Sequence, residues 1–243
     1  MALADLTQLE ILEGSLGLIW VLIAIFIGLK AIFRAIAINR RRDLITVGLS
    51  YIFVSSAWFG VAFQFISYGF FDVKLDAFTY LMVANIFIPF ALICWVWSYC
   101  EILKPKSRNI LLIVFFGFAI VWELFIIIGL LIDISLVGTL HSTFDSSHSP
   151  ILLIFTLTGV FLFLITGTIF AVKSMRLEDP EVQWKGRFLL LAWISFGIGA
   201  ILDAALTLNA ITIIIIRIIL ISSAIEFYFG FFLPKKISEK LIS

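Results

Sequence analysis

Seven apolar stretches, each long enough to cross a lipid bilayer, constrain this chain more than any other feature. A spanning helix needs about 20 apolar residues, and such runs fall at about 14 to 38, 44 to 70, 77 to 103, 109 to 133, 151 to 173, 187 to 208 and 210 to 233. A membrane barrel would require segments that alternate apolar and polar residues. The Ile-rich run from Ile211 to Ile216 instead presents apolar side chains in every direction. Lipid offers no partner for backbone N–H and C=O groups, so such segments must satisfy them internally, as helices. The chain is 63% hydrophobic and 14% charged, against about 45–50% and 25% for a soluble domain. The expectation is an all-α integral membrane protein, a single seven-helix bundle that leaves no room for a soluble catalytic domain.

The distribution of Lys and Arg sets the expected orientation, because basic residues gather on the cytoplasmic side. Arg40, Arg41 and Arg42 follow the first span, Lys104, Lys106 and Arg108 the third, and Lys173, Arg176, Lys185 and Arg187 the fifth, while Lys235, Lys236 and Lys240 follow the last. The opposite side has an acidic N-terminus, Asp72 and Asp76 with Lys74, the Lys-free stretch from Asp133 to Pro150, and a tight connection at Asn209. Seven crossings then place the N-terminus outside and the C-terminus in the cytoplasm of a cell-membrane protein. The residues before Lys30 include Asp5, Glu10 and Glu13 and no basic residue. A secretory signal has a basic leading region, so the first span is expected to stay in the protein.

Within the spans, Pro89 is expected to kink the third helix, and Ser56 with Gly60 and Ser195 with Gly199 mark places where helices approach closely. Cys94 and Cys100, six apart on one helix, point about 240° from each other. They cannot form a disulfide and read as buried small hydrophobes.

Ionisable residues inside spans cost roughly 2.5–3.5 kcal/mol on insertion scales, and normally pair or line a cavity. Arg217 and Asp203 both lie roughly 8–11 Å inside the outer ends of the last two helices at the α-helical rise, and are expected to pair. This is read either as a salt bridge fastening two helices or as the anchor of a small anionic ligand, which a guanidinium holds bidentately. Glu123, near mid-membrane beside Trp122, is a third member or a lone protonated acid. Gln64 and Asn85 complete an outward-facing polar set. Toward the cytoplasm, Lys30 and Glu226 lie at matching depth and are expected to pair, with Arg34 and Glu101 nearer the surface. Basic side chains there also reach the interface by snorkelling.

Several chemistries are disfavoured. A retinal protein needs a lysine within its last helix, and none precedes Lys235. Seven-helix zinc hydrolases need intramembrane His and Asp ligands, whereas the only histidines, His141 and His148, fall in an outer loop. His141, Asp145 and His148 make a weak surface-metal pattern on a Ser-rich stretch read as a solvated loop, so neither metal nor cofactor is expected. No nucleophile with a positioned base can be assembled, and no enzyme is expected. The basic inner loops are explained by orientation and by anionic headgroups of membrane lipid, so no nucleic acid is expected. The stretch from Lys173 to Arg187, with Pro180 and Trp184, is the expected docking surface for a cytoplasmic partner.

The run Asp179, Pro180, Glu181 through Lys185, Gly186, Arg187, Phe188 and Leu189, then Gly199 and Asp203, Arg217 to Ser223, and the closing Phe227 to Pro234 resembles the last third of uncharacterised archaeal seven-helix membrane proteins. The resemblance covers about a third of the chain and implies a fold and an orientation, but no activity. The helix number and the cytoplasmic exit are also similar to the seven-helix sensor regions that precede microbial histidine kinases. With only a short tail after Pro234, output would pass to a separate protein. The leading expectation is therefore a receptor-like or sensory protein. The alternatives are a small-solute or proton transporter or channel, and a non-catalytic accessory subunit. A cavity around Arg217 favours the first, a continuous polar path from Arg217 through Glu123 to Glu226 the second, and an exposed polar seam the third.

Overall fold

The computed structural model describes residues 5–37, 41–205 and 209–242. Arg40 and the expected helix ends at Ile38 and Leu208 lie outside the described residues. Among the described residues, seven helices are long and apolar enough to cross a membrane: α1 Gln8–Ala37, α2 Arg42–Phe71, α3 Ala77–Leu103, α4 Arg108–Ile132, α5 Pro150–Met175, α6 Pro180–Ala205 and α7 Ala210–Phe232. A short eighth, α8 Lys235–Ile242, follows, and a hairpin of β1 Gly138–Leu140 and β2 Ser146–His148 sits between α4 and α5.

Local chemistry fixes the helix starts. Thr7 and Glu10 form a reciprocal capping box: the Thr7 amide donates to the Glu10 carboxylate at 2.9 Å, and the Glu10 amide donates to the Thr7 hydroxyl at 3.3 Å. That satisfies two otherwise orphaned amides, and starts α1 six residues before the apolar run that marks it in the sequence. Asp76 caps α3, and Ser149 followed by Pro150 starts α5. Asn209 and Thr212 form a second capping box at α7. Such caps are each worth about 1 kcal/mol. The α3 helix is interrupted at Ile86–Phe87, because Pro89 has no N–H for the Asn85 carbonyl and its ring crowds it. The α2 helix tightens into a 3-10 turn at Ser55–Trp58.

Long helices joined by short connections must run antiparallel to their neighbours, so the ends of the bundle are distinct. One end carries the hairpin, the other the basic connections. Around the bundle, α1, α2, α3, α5, α6 and α7 pack in that order and close back onto α1, with α4 on the outer flank of α3. Only 22% of the most apolar stretch of α4 is buried, the lowest share among the spans. Apolar side chains such as Ile113, Leu131, Ile132, Ile211 and Ile218 lie open on the outside. A water-soluble monomer rarely exposes apolar patches above a few hundred Å², so this surface calls for lipid.

Inside, aromatic rings fill the ring of helices. Trp95 meets Trp193 at 4.8 Å between centroids, and Trp193 meets Phe227 edge-on at the same spacing, an arrangement favoured by the ring quadrupole. The Trp95 indole donates to Thr166 at 2.8 Å. Cys94 and Cys100 are both free thiols.

The stretch from Asp133 to Pro150 is not the solvated loop its serines imply. Gly138 pairs with His148, Thr139 with Ser147 and Leu140 with Ser146. The buried Val137 and Phe144 drive the hairpin onto the bundle. The Tyr80 hydroxyl of α3 donates to the Phe144 carbonyl at 2.7 Å, and the Ser149 amide to the Val137 carbonyl at 3.0 Å. A few apolar anchors and main-chain bonds thus outweigh the polarity of the surrounding serines.

Helices α1 and α2 meet backbone to backbone. A Cβ at Gly48 would stand 2.5 Å from the Gly28 carbonyl, and one at Gly28 would stand 2.7 Å from that of Gly48. Both glycines are required by backbone proximity, not by turn geometry. Gly48→Val is expected to destabilise the protein by about 1–3 kcal/mol, read as a lowered midpoint in thermal unfolding of reconstituted protein. Gly117→Ala, where an added Cβ meets nothing within 4 Å, should leave that midpoint unchanged or slightly raised; equal losses at both positions would refute the close-packing account.

Candidate functional site

A cavity of about 470 Å³ lies at the hairpin end. Helices α1, α2, α3, α4, α5, α6 and α7 and the hairpin all contribute to its wall. Its lower part is apolar, with Trp122, Leu157, Val160, Phe163 and Phe196. Its polar end gathers Glu13, Asn85, His148, Asp203 and Arg217, with Asp145 on the hairpin.

Arg217 projects from the buried stripe of α7, between Ile213 and Leu220, and is only 2% exposed. Its Nη1 donates to Asp203 Oδ1 at 2.9 Å, while the other Asp203 oxygen accepts from the Trp58 indole at 2.8 Å. The guanidinium also lies 5.7 Å from the Trp58 ring, which attracts cations through its face. The 3-10 turn in α2 is what brings Trp58 to this point, so three helices converge on one carboxylate. Arg217 Nε has no hydrogen-bond partner among the described residues.

The other residues of the expected outward-facing set divide. Asn85 is buried in the wall, donating to the Leu81 carbonyl at 2.8 Å and meeting His148 Nε2 at 3.2 Å. Gln64 is fully buried but not in the wall. Its side-chain carbonyl accepts from the Leu75 amide at 2.8 Å, which pins the connection between α2 and α3. Glu123 on α4 is also outside the wall, and its Oε2 is buried with no hydrogen-bond partner among the described residues. The structure therefore brings Arg217, Asp203 and Asn85 together, and leaves Gln64 and Glu123 apart.

The residue missed at this site is Glu13. It is 4% exposed and lines the cavity, and no hydrogen bond or ion pair holds its carboxylate among the described residues. A helix start drawn from hydropathy at Gly14 leaves Glu13 outside the membrane. The Thr7–Glu10 capping box, visible as Thr-x-x-Glu, places it more than a turn inside α1.

At the basic end, the expected Lys30–Glu226 pair is not formed. Lys30 donates to the Tyr228 hydroxyl at 2.6 Å and lies 4.4 Å from that ring, while Glu226 accepts from Ser222 at 2.8 Å. Two residues on a helix are about 200° apart, so equal depth puts Tyr228, not Glu226, on the face that Lys30 reaches. Arg34 lies over Phe232 at 5.1 Å, and Glu101 pairs with Arg108. The stretch from Lys173 to Arg187 is mostly helical, with only 176–179 between α5 and α6. Trp184 is half-buried and donates its indole N–H to the Leu241 carbonyl of α8 at 3.0 Å.

The histidines do not converge as metal ligands. His141 Nε2 meets Ser147 at 2.8 Å while His148 turns to Asn85, and no group of three His, Cys, Asp or Glu residues suited to a metal occurs among the described residues. His148, on the hairpin, is held below the ordinary imidazole range mainly by burial, with Asp203 acting in the opposite sense.

Two outcomes are expected. Breaking a buried ion pair typically costs about 3–5 kcal/mol, and Asp203 is partly exposed, so Asp203→Asn and Arg217→Gln should each lose an amount near the lower bound. The double variant should lose less than the two combined, and additive losses in thermal unfolding would refute the pairing. For His148, a lowered folded pKa means that the undocked hairpin binds the proton more readily. Docking is then fully favourable above the ordinary imidazole value of about 6.5 and weakens as pH falls below it. Protection factors of amide exchange in residues 138–148, which allow for the slower intrinsic exchange at low pH, should fall between pH 7.5 and 5.5, and His148→Gln should flatten that dependence; an unchanged pH response in the variant would assign it to another group.

No protein-family model matches the chain, and no curated protein sequence is significantly similar to it, so the functional reading stands on this geometry.

Proposed function

We propose that the chain is a receptor-like protein of the cell membrane that takes a small ligand into the cavity and passes the change to a separate protein at its basic end. The observation that carries this reading is the 470 Å³ cavity around the Asp203–Arg217 pair. Its volume falls within the roughly 300–1,000 Å³ of small-molecule sites, and its wall joins an apolar body to a few polar groups, as such sites do.

The hairpin end faces outward in this reading, because Lys104, Lys106, Arg108, Lys173, Arg176, Lys185, Arg187, Lys235 and Lys236 all fall at the other end, which the charge rule assigns to the cytoplasm. Helices α6 and α7 supply the ion pair and also reach the basic end. There α8 is fastened to α6 by Trp184 with Leu241, and by Ser238 with Glu181 at 3.5 Å. A ligand that favours one setting of α6 against α7 shifts the position of α8; equal affinity for both settings would shift nothing.

Support for signalling over transport comes from the region below the cavity. Phe163, Phe196, Trp193 and Phe227 surround a second space of about 20 Å³, close to the volume of a single water. Glu123 and Glu226 line neither space. A solute path would have to open this aromatic packing.

A ligand bound only to the folded state raises stability, by about 2.7 kcal/mol at one hundred times its Kd. A panel of small polar and amphiphilic compounds should therefore contain at least one that raises the unfolding temperature of wild-type protein but not of Ala84→Phe, which fills the cavity. The same compound should alter amide exchange both in the hairpin and in residues 235–242. Protection confined to the hairpin would remove the signalling part of the reading, and solute uptake by proteoliposomes would replace it with transport.

A further inference from the structure

Among the described residues the cavity wall carries three carboxyl groups, Glu13, Asp145 and Asp203, against one guanidinium, Arg217, and the two imidazoles of His141 and His148. Arg217 and Asp203 are committed to each other, and Trp58 takes the second Asp203 oxygen. Among the described residues only Nη1 of Arg217 is hydrogen-bonded, to Asp203, so an anion entering here would find guanidinium donors left but would also face Asp203 and two further carboxyl groups.

Glu13 is the group left over. It is 4% exposed, opens onto the cavity, and has no hydrogen-bond or ion-pair partner among the described residues. The charges within its reach are Asp145, Arg217, Asp203 and Glu10, three of the four negative. A buried carboxylate in such a field is costly unless a cation joins it. The rings of Trp58 and Tyr80 border the same end of the cavity, and aromatic faces attract ammonium groups. Further in, Phe163 and Phe196 offer apolar surface, beside Trp122, whose indole N–H has no hydrogen-bond partner among the described residues.

We propose that the cavity binds an organic cation, with its amine or ammonium head between Glu13 and Asp145 and its apolar body against Trp122, Phe163 and Phe196. This rests on the reading of the cavity as a ligand site, and it reverses the sign of the ligand that Arg217 alone implies in the sequence. Arg217 is then a positioning residue: it fixes Asp203 and balances one carboxylate, leaving the remaining negative charge for the ligand. The same head chemistry is carried by free amines and by ethanolamine lipids.

The test uses the full chain in nanodiscs of phosphatidylglycerol, with 2-phenylethylamine, 2-phenylethanol and 3-phenylpropionate as probes that share a ring and differ in charge. The amine is expected to raise the unfolding temperature at concentrations at least tenfold lower than the alcohol, and Glu13→Gln to abolish that advantage while leaving the alcohol's effect in place. Asp145→Asn, on the hairpin, should reduce the advantage severalfold and serves if the Glu13 variant does not fold. Adding phosphatidylethanolamine to the discs should weaken the amine's effect if the lipid head is the occupant, and leave it unchanged if the occupant is a free amine. Preference for 3-phenylpropionate that is lost in Arg217→Gln would overturn the proposal. Equal stabilisation by amine and alcohol, both blocked by Ala84→Phe, would overturn the charge assignment and keep the ligand site. Stabilisation by all three probes that Ala84→Phe does not affect, or by none of them, would overturn the ligand-site reading itself.

Discussion

A guanidinium on the core-facing stripe of a membrane helix is the constraint around which the hairpin end is built. On α7, Ile213, Ile216, Leu220, Ala224 and Phe227 face inward at helical spacing, and Arg217 occupies the same stripe. Its charge cannot be left alone in so dry a place. Asp203 of α6 answers it and is in turn held by Trp58 of α2. The 3-10 turn of α2 at Ser55–Trp58 accompanies this contact, and the helices around the pair enclose a cavity. A buried ion pair is weak evidence of net stability, since apolar side chains often do as well. What it does here is fix the relative setting of three helices around an open space.

The hairpin has the complementary role. Its strands are only three residues long, and isolated hairpins are marginal in water. It depends on Phe144 and Val137 entering the bundle and on Tyr80 holding the Phe144 carbonyl. The segment that places Asp145 and His148 at the cavity is therefore docked by a small number of contacts, and α3 reaches it from below through Tyr80 and Asn85. Low local stability of this kind is what ligand-responsive segments require.

Hydropathy alone makes the seven helices readable, because lipid leaves a buried polar backbone so few alternatives. Arg217 and Asp203 are readable as partners for a further reason: the short connection at Asn209 ties their helices together, so equal depth nearly guarantees proximity. Lys30 and Glu226 share depth without that restraint, and the rotation of α7 gives Lys30 to Tyr228. Glu123 is misleading in the same way, since depth says nothing about which flank of the bundle α4 occupies. The hairpin is hidden because its composition is that of a solvated loop, and only tertiary anchoring by Phe144 overrides it. Glu13 is hidden by a boundary rule. Hydropathy begins the helix where apolar residues begin, whereas the backbone begins it where capping does, at Thr7 and Glu10.

That difference of six residues changes the electrostatic character of the site. With Glu13 outside the membrane, Arg217 dominates the outer half of the bundle, and anions are the natural ligands. With Glu13 inside α1 and buried, the Asp203–Arg217 pair is an internally balanced unit, and the unbalanced charge is a carboxylate. Burial raises the cost of leaving that carboxylate unpaired, and the aromatic lower wall supplies apolar area but no cation. In the proposed complex the counter-charge arrives with the ligand, and the group that sets the sign of recognition is the one that helix capping, not hydropathy, brings into the bundle.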